Sequence, residues 1–237
     1  MSKSQSSPEF ALARAVLERE VLGGLHPATR EAFLTHGQLR HFGKGEILSR
    51  RGEPVGTLTI LVDGSIEVSR TSARGKRHVL RYLEAGQVMN LVPVLDERHA
   101  IHDAVAHTDC LVLQVNRTVF LDLLAHDAAL MGGVVQLLCL RTRATFEQLG
   151  SDALLPVRQR CARALVGMIG PYGRARENGI AIILKISRDE FSDMLGRTRQ
   201  VVGKELRQLE DEGVIRSAYS HFVIVDEAAL RRIAQTG

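Results

Sequence analysis

Residues 186–211 read ISRDEFSDMLGRTRQVVGKELRQLED, and this stretch decides the fold. Ser187 and Glu190 stand three apart, the spacing of a capping box that satisfies orphan backbone donors at a helix start. Phe191, Met194 and Leu195 then mark the buried face of a short helix. Gly196 ends it, because a helix commonly stops on a residue that tolerates positive φ. Thr198 is placed to cap a second helix. Val202, Leu206 and Leu209 form the buried face of that helix. Its other face, free of large apolar groups, carries Arg199, Gln200, Gly203, Lys204 and Arg207. Two helices separated by a short glycine-containing break make a helix-turn-helix. Beyond it, Val214-Ile215 and His221 to Val225 flank Tyr219-Ser220 and predict a β-hairpin wing.

The exposed face of the second helix has the chemistry of a duplex reader. Arg and Lys donate to guanine edges or phosphates, and Gln pairs bidentately with adenine. Gly203, lacking a side chain, lets another molecule come close. A basic helix face is more often simply solvated. The specific signal is the order of elements: helix, strand, capped helix, glycine turn, basic helix, hairpin.

Working toward the N-terminus, the rhythm changes. Met1 to Glu9 is polar, and Phe10, Ala13, Val16 and Leu17 recur at helical spacing, so residues 1–25 read as an N-terminal extension. Residues 26–125 hold short apolar runs punctuated by Gly45, Gly52, Gly56, Gly64, Gly75 and Gly86, the signature of an all-β roll or jelly roll. Leu58 to Val68, broken by Asp63-Gly64, reads as a tight hairpin. Cys110 to Val115 reads as a further strand. A short helix carries Phe120, Leu121 and Leu124. A long one follows, with Leu130, Val134, Leu137, Leu138, Arg141, Ala144 and Thr145 on one stripe. That stripe, within residues 126–151, is close to a dimerisation seam; the plainer alternative is a helix packed on its own barrel. Residues 152–237 form the terminal DNA-binding unit. The expected class is α+β: an N-terminal β-roll, a long dimerisation helix and a C-terminal winged helix-turn-helix.

Composition narrows the functional class. The chain has 237 residues, 45 % hydrophobic and 24 % charged, with a formal net charge of +4. That mild basicity permits a polyanionic partner. No apolar run has the length of a membrane span, and the polar start lacks a secretory signal's apolar core, so a cytoplasmic location is expected. Cys110, Cys139 and Cys161 are too far apart for a zinc or cluster motif and read as reduced, mostly buried thiols. A phosphate-binding glycine loop, a nucleophile elbow and an H-E-x-x-H pair are all missing, so catalysis is not expected.

The run from Gly196 to Leu206, followed by Leu209-Glu210-Asp211-Glu212-Gly213-Val214-Ile215, resembles the cyclic-AMP receptor protein and fumarate-nitrate regulator (Crp/Fnr) family. The barrel is similar as well, in Gly45, Gly52, Leu61-Val62-Asp63-Gly64 and Gly86. The resemblance covers residues 30 to 226. It implies a homodimer joined along the long helix, with two recognition helices in successive major grooves of a near-palindromic site, and RNA polymerase as a further partner. By position it makes Arg199, Gln200 and Lys204 the reading residues, with Thr198, Gly203 and Arg207 beside them. The family usually has Glu where Gln200 stands and Arg where Lys204 stands, which leaves the half-site open.

The sensor departs further from the family. Cyclic-nucleotide binders carry a Gly-Glu pair whose Glu holds the ribose, and a later Arg that neutralises the phosphate. Here Asn90 and Leu91 occupy the Gly-Glu places, after Met89. Ala100 falls at the Arg position, and Arg98 is an offset echo two residues early. The resemblance puts Thr145 where a ligand-contacting polar residue stands, with Phe146 beside it. The expected pocket is therefore Met89, Asn90, Leu91, Arg98, Thr145 and Phe146, and the familiar cyclic-AMP mode is not expected. Clustered N-terminal cysteines are missing, so an iron-sulfur cluster is not expected either. His78, His99, His102 and His107 keep haem open, and another nucleotide, a small metabolite or no effector at all remain alternatives. The rival class is a nucleotide-sensing module acting on a protein partner. Such a docking face should show exposed aromatics or Leu.

Overall fold

The computed structural model describes residues 7–19, 22, 24–218 and 220–235. The chain divides into two compact units, residues 1–76 with 80–143, and residues 77–79 with 144–237. Tyr219 of the expected wing and the first six residues of the polar start lie outside the described residues.

The first unit is a roll of two four-stranded sheets with helices on one side. α1 (Pro8–Leu17) starts at Ser7, whose side chain accepts from the Phe10 N–H, and α2 (Pro27–His36) follows. The strands are β1 (Gln38–Phe42), β2 (Ile47–Ser49), β3 (Thr57–Asp63), β4 (Ile66–Thr71), β5 (Arg77–Leu83), β6 (Val88–Met89), β7 (Asp103–Ala106) and β8 (Cys110–Asn116), with short α3 (Leu91–Asp96) before β7. One sheet has the order β1-β8-β3-β6 and the other β2-β7-β4-β5. Leu61, Val112, Ile66, Val68, Leu83 and Ala104 fill the space between the sheets. Leu58, Ile60, Val62, Leu111, Leu113 and Val115 face the other way, onto α1, α2 and α4 (Arg117–His126). There Phe33 and Phe120 meet with ring centroids 6.3 Å apart. The central strands are thus buried on both faces, which accounts for a nearly continuous apolar run in β3.

The Asp63-Gly64 turn is not a hairpin. β3 pairs with β8 and β6, whereas β4 pairs with β7. The turn carries the chain from one sheet to the other. Gly64 has φ +91°, and a Cβ there would stand 2.3 Å from the Asp109 carbonyl oxygen. The sequence signal for positive φ is therefore met, by a corner between layers instead of a two-residue loop.

α5 (Ala128–Leu154) follows Asp127, whose carboxylate accepts from the Ala129 and Leu130 N–H groups. Thr29 also donates to it, and these hydrogen bonds, that from Thr29 first, hold the carboxyl below its ordinary pKa. Leu130 and Val134 are buried in the first unit's own core, with Leu137 and Leu138 packed partly against it. That half of the expected seam is the plainer alternative after all. An exposed apolar row lies one residue along: Met131, Val135, Phe146 and Leu149. Among the described residues no single helix is long and apolar enough to cross a membrane.

The second unit holds α6 (Val157–Tyr172), β9 (Gly173–Arg176), β10 (Gly179–Ile182), α7 (Arg188–Leu195), α8 (Arg199–Asp211), β11 (Ile215–Ala218), β12 (His221–Ile224) and α9 (Glu227–Gln235). The wing is wider than the sequence pattern predicts. β9 and β10 join β11 and β12 in one sheet of order β11-β12-β10-β9. Its apolar residues Phe222 and Ile224 are buried, Phe222 against Phe191 of α7 with ring centroids 5.2 Å apart, and Cys161 and Leu165 of α6 are buried as well. Cys110 and Cys161 are buried, and burial pushes the Cys161 thiol up to about 12, while Cys139 is exposed.

Candidate nucleic-acid interface and barrel cavity

The capping box forms as its spacing predicts. The Ser187 hydroxyl accepts from the Glu190 N–H at 3.2 Å, and the Ser187 N–H donates to the Glu190 carboxylate at 2.7 Å. Gly196 closes α7 with φ +61°. The Thr198 hydroxyl accepts from the Val201 N–H at 3.5 Å and starts α8. Val202, Leu206 and Leu209 are fully buried. Met194 is only half-buried, and Ser192 takes the inner position, donating to the Arg188 carbonyl oxygen at 2.7 Å.

Two cations fix this scaffold. Arg188 donates to Glu210 of α8 at 2.8 Å and to Ser217 of β11 at 2.5 Å, latching both helices and the wing. Arg160, 4 % exposed, donates to the Leu195 carbonyl oxygen at the end of α7 at 2.6 Å and pairs with Asp152 of α5. A helix C-terminus carries unpaired carbonyls and partial negative charge, so a cation there is stabilising.

What remains on the outer face of α8 is exposed Arg199, Gln200, Lys204 and Arg207, with Thr198 at its start. Arg199 is not idle: its Nε lies 2.8 Å from Asp189 at the start of α7. Gly203 sits among these residues, and a Cβ built there meets no atom within 4 Å. Sequence reasoning missed Val201, 43 % exposed in the first turn of the same helix. The face is therefore not wholly polar, and a β-branched methyl pair there suits contact with a thymine methyl.

The first unit encloses a cavity of about 40 Å³ between β4, β5, β6, α3, β7 and α5. Met89, Asn90 and Leu91 line it as expected. Arg98 does not: it is exposed beyond α3, with its N–H on the Asp96 carboxylate at 3.1 Å. Thr145 and Phe146 do not line it either, both being exposed on α5. The polar wall comes from Arg81, His102 and Arg141. Arg141 was legible as the one charge among the first apolar stripe positions of α5. Arg81 and His102 lie on separate segments with no shared periodicity. Arg141 donates to the Val88 carbonyl oxygen. Burial, with Arg81 nearby, brings its guanidinium down to about 10. Burial first, then the fields of Arg81, Arg70 and Arg141, drives His102 down to about 4. His99 is exposed, and His107 packs edge-on against Tyr82 at 4.7 Å.

The two residues that the resemblance aligns with the family's cyclic-nucleotide contacts are both apolar here. Leu91, at the place of the ribose-binding carboxylate, is 1 % exposed and apolar. Ala100, at the place of the phosphate-binding cation, is 4 % exposed and equally apolar. Neither side chain can take up a ribose hydroxyl or a phosphate in the manner of the family's cyclic-nucleotide binders.

A β-roll sensor unit followed by a long helix and a winged helix-turn-helix defines a class of DNA-binding transcription regulators. The cyclic nucleotide-binding domain model matches residues 39–127 and the Crp-like helix-turn-helix domain model residues 159–233, together more than half of the chain. The chain belongs to the Crp/Fnr family of transcription regulators. It is 29 % identical over 199 residues to the cAMP-activated global transcriptional regulator CRP of Salmonella typhimurium, covering 83 % of this chain and 93 % of that one. A CRP-family transcriptional regulator from Thermus thermophilus superposes with a TM-score of 0.69 at 26 % identity, over 84 % of this chain and 97 % of the other. FixK2 from Bradyrhizobium japonicum shares the fold, with a TM-score of 0.76 at 19 % identity over 85 % and 98 %.

Proposed function

We propose that the protein is a cytoplasmic, homodimeric regulator that binds a near-palindromic DNA site through α8 and recruits or blocks RNA polymerase according to an effector state of the barrel. The observation that carries this reading is the outer face of α8. Thr198, Arg199, Gln200, Gly203, Lys204 and Arg207 are presented on a helix whose other face is fully buried. Two such helices, related by a twofold axis along α5, address half-sites about 34 Å apart. Two arrangements of the barrel and α5, bound unequally by an effector, would shift the population of DNA-competent dimers.

Selection of preferred duplexes from a random pool, followed by gel-shift titration, tests this. The selected site should be an inverted repeat, and affinity should fall steeply with salt as phosphate contacts release counterions. Arg199→Ala should lose about 1–3 kcal/mol of specific affinity and relax preference at one position of each half-site. Selection of no sequence, or an unchanged site preference in Arg199→Ala, would overturn the assignment.

A further inference from the structure

The barrel cavity gathers cationic and polar groups around a small space. Two guanidinium groups, Arg81 from β5 and Arg141 from α5, converge on it with the imidazole of His102 and the amide of Asn90. No Asp or Glu is among its lining residues; the remainder of the wall is apolar, Leu91 and Met89 included. The buried Nδ1 of His102 meets no hydrogen-bond partner. Two cations drawn out of water beside each other repel, and an anion between them relieves both the repulsion and the desolvation. A guanidinium presents its N–H donors as a planar fork that matches two oxygens on one centre. The free space, about 40 Å³, exceeds the roughly 10–15 Å³ that one bound water needs on the same measure and is of the size a small ion can fill. A purine nucleotide is many times larger.

We propose that this cavity binds a compact oxyanion, held between Arg81 and Arg141 with His102 and Asn90 completing the polar wall, in place of a cyclic nucleotide. The inference rests on the reading of the barrel as the effector site and specifies the ligand chemistry of that site. Phosphate, sulfate, nitrate and formate share that chemistry, and they differ enough in charge and size to be told apart by titration.

The test uses the full-length protein in a buffer free of oxyanions. Each of the four anions, and cyclic AMP as the contrast, is titrated by calorimetry and by thermal unfolding. At least one oxyanion should bind saturably and raise the unfolding midpoint, and cyclic AMP should do neither. Arg141→Met and Arg81→Met should each weaken that binding by about tenfold or more, the loss of a charge-assisted contact. Arg98→Met, outside the cavity, should match the parent. His102→Gln supplies a milder variant if either methionine substitution fails to fold, and should weaken binding while leaving the anion selectivity unchanged. Saturable binding that ignores all three cavity substitutions, or binding of none of the four anions, would overturn the proposal. DNA affinity measured in parallel separates the two readings. An oxyanion that binds in the cavity without moving DNA affinity upholds the ligand class and removes the effector role. Cavity substitutions that alter DNA affinity in a protein binding none of the anions do the reverse.

Discussion

Gly203 is the residue at which stability and the proposed DNA contact make opposite demands. A glycine inside a helix costs roughly 0.5–1 kcal/mol relative to alanine. Nothing in the second unit asks for it, because a Cβ there points into open space. Gly203→Ala should therefore raise stability by about 0.5–1 kcal/mol in denaturant melts while weakening specific DNA binding. A variant that is stabler and binds DNA as before would mean that no partner approaches this point closely. His102 poses a different test. Arg81, Arg70 and Arg141 add to burial in pushing its protonation down and Asp103 opposes them, leaving it neutral until about pH 4 against an ordinary 6.5. The unfolded chain binds the proton first, so this contribution to stability is complete above pH 6.5 and is lost as pH falls from 6.5 toward 4. The slope is about 1.4 kcal/mol per pH unit at most across that window. Thermal melts of His102→Gln should be flatter there than those of the parent, and parallel curves would show that the imidazole is solvated instead.

At the scale of elements, the segments most legible in the sequence were those whose signals are local. The capping box of Ser187 and Glu190, the Gly196 stop and the Thr198 cap depend on neighbours within four residues, and all three form. Strand pairing depends on residues far apart, and there reading along the chain failed. Asp63-Gly64 carries the right turn chemistry, yet which strand β3 pairs with is decided by β8, some fifty residues on. Likewise the stripe on α5 gave a helix correctly but not what covers it, since Leu130 and Val134 look the same whether they meet a barrel or a second helix. In the cavity, Met89, Asn90 and Leu91 were found because the family resemblance, counted from Gly86, places them at or beside its Gly-Glu positions, whereas Arg81 and His102 arrive from other strands and segments. The corner itself can be tested. Gly64→Ala places a methyl against the Asp109 carbonyl oxygen at a backbone angle alanine resists, and should destabilise the barrel by about 1–3 kcal/mol. Chemical denaturation would show this as a lower midpoint with an unchanged slope, and a neutral substitution would place the turn elsewhere.

For the whole molecule the decisive feature is the exposed row on α5. Met131, Val135, Phe146 and Leu149 are 43, 52, 69 and 59 % exposed, at spacings of four, eleven and three residues, with exposed Thr142 between. The row spans 18 residues close to the 3.6-residue helical repeat and so forms one stripe along α5, the face that the proposed second copy would cover. Leaving four large apolar groups in water along one line is unfavourable by roughly 1.5–3 kcal/mol for each side chain that could otherwise be fully buried. Under the proposed pairing, the second half-site would be bound at high effective concentration once the first is engaged. Val135→Glu with Leu149→Glu sets like charges facing each other across the seam while leaving Leu130 and Val134 in the barrel core. Sedimentation should then report a single chain where the parent reports two. Affinity for the inverted repeat should fall by about a hundredfold or more, toward the affinity for one half-site, which should itself change little. A double variant that still sediments as a pair would assign the exposed row to some other contact, and one that is monomeric yet binds the full site undiminished would separate dimerisation from DNA recognition.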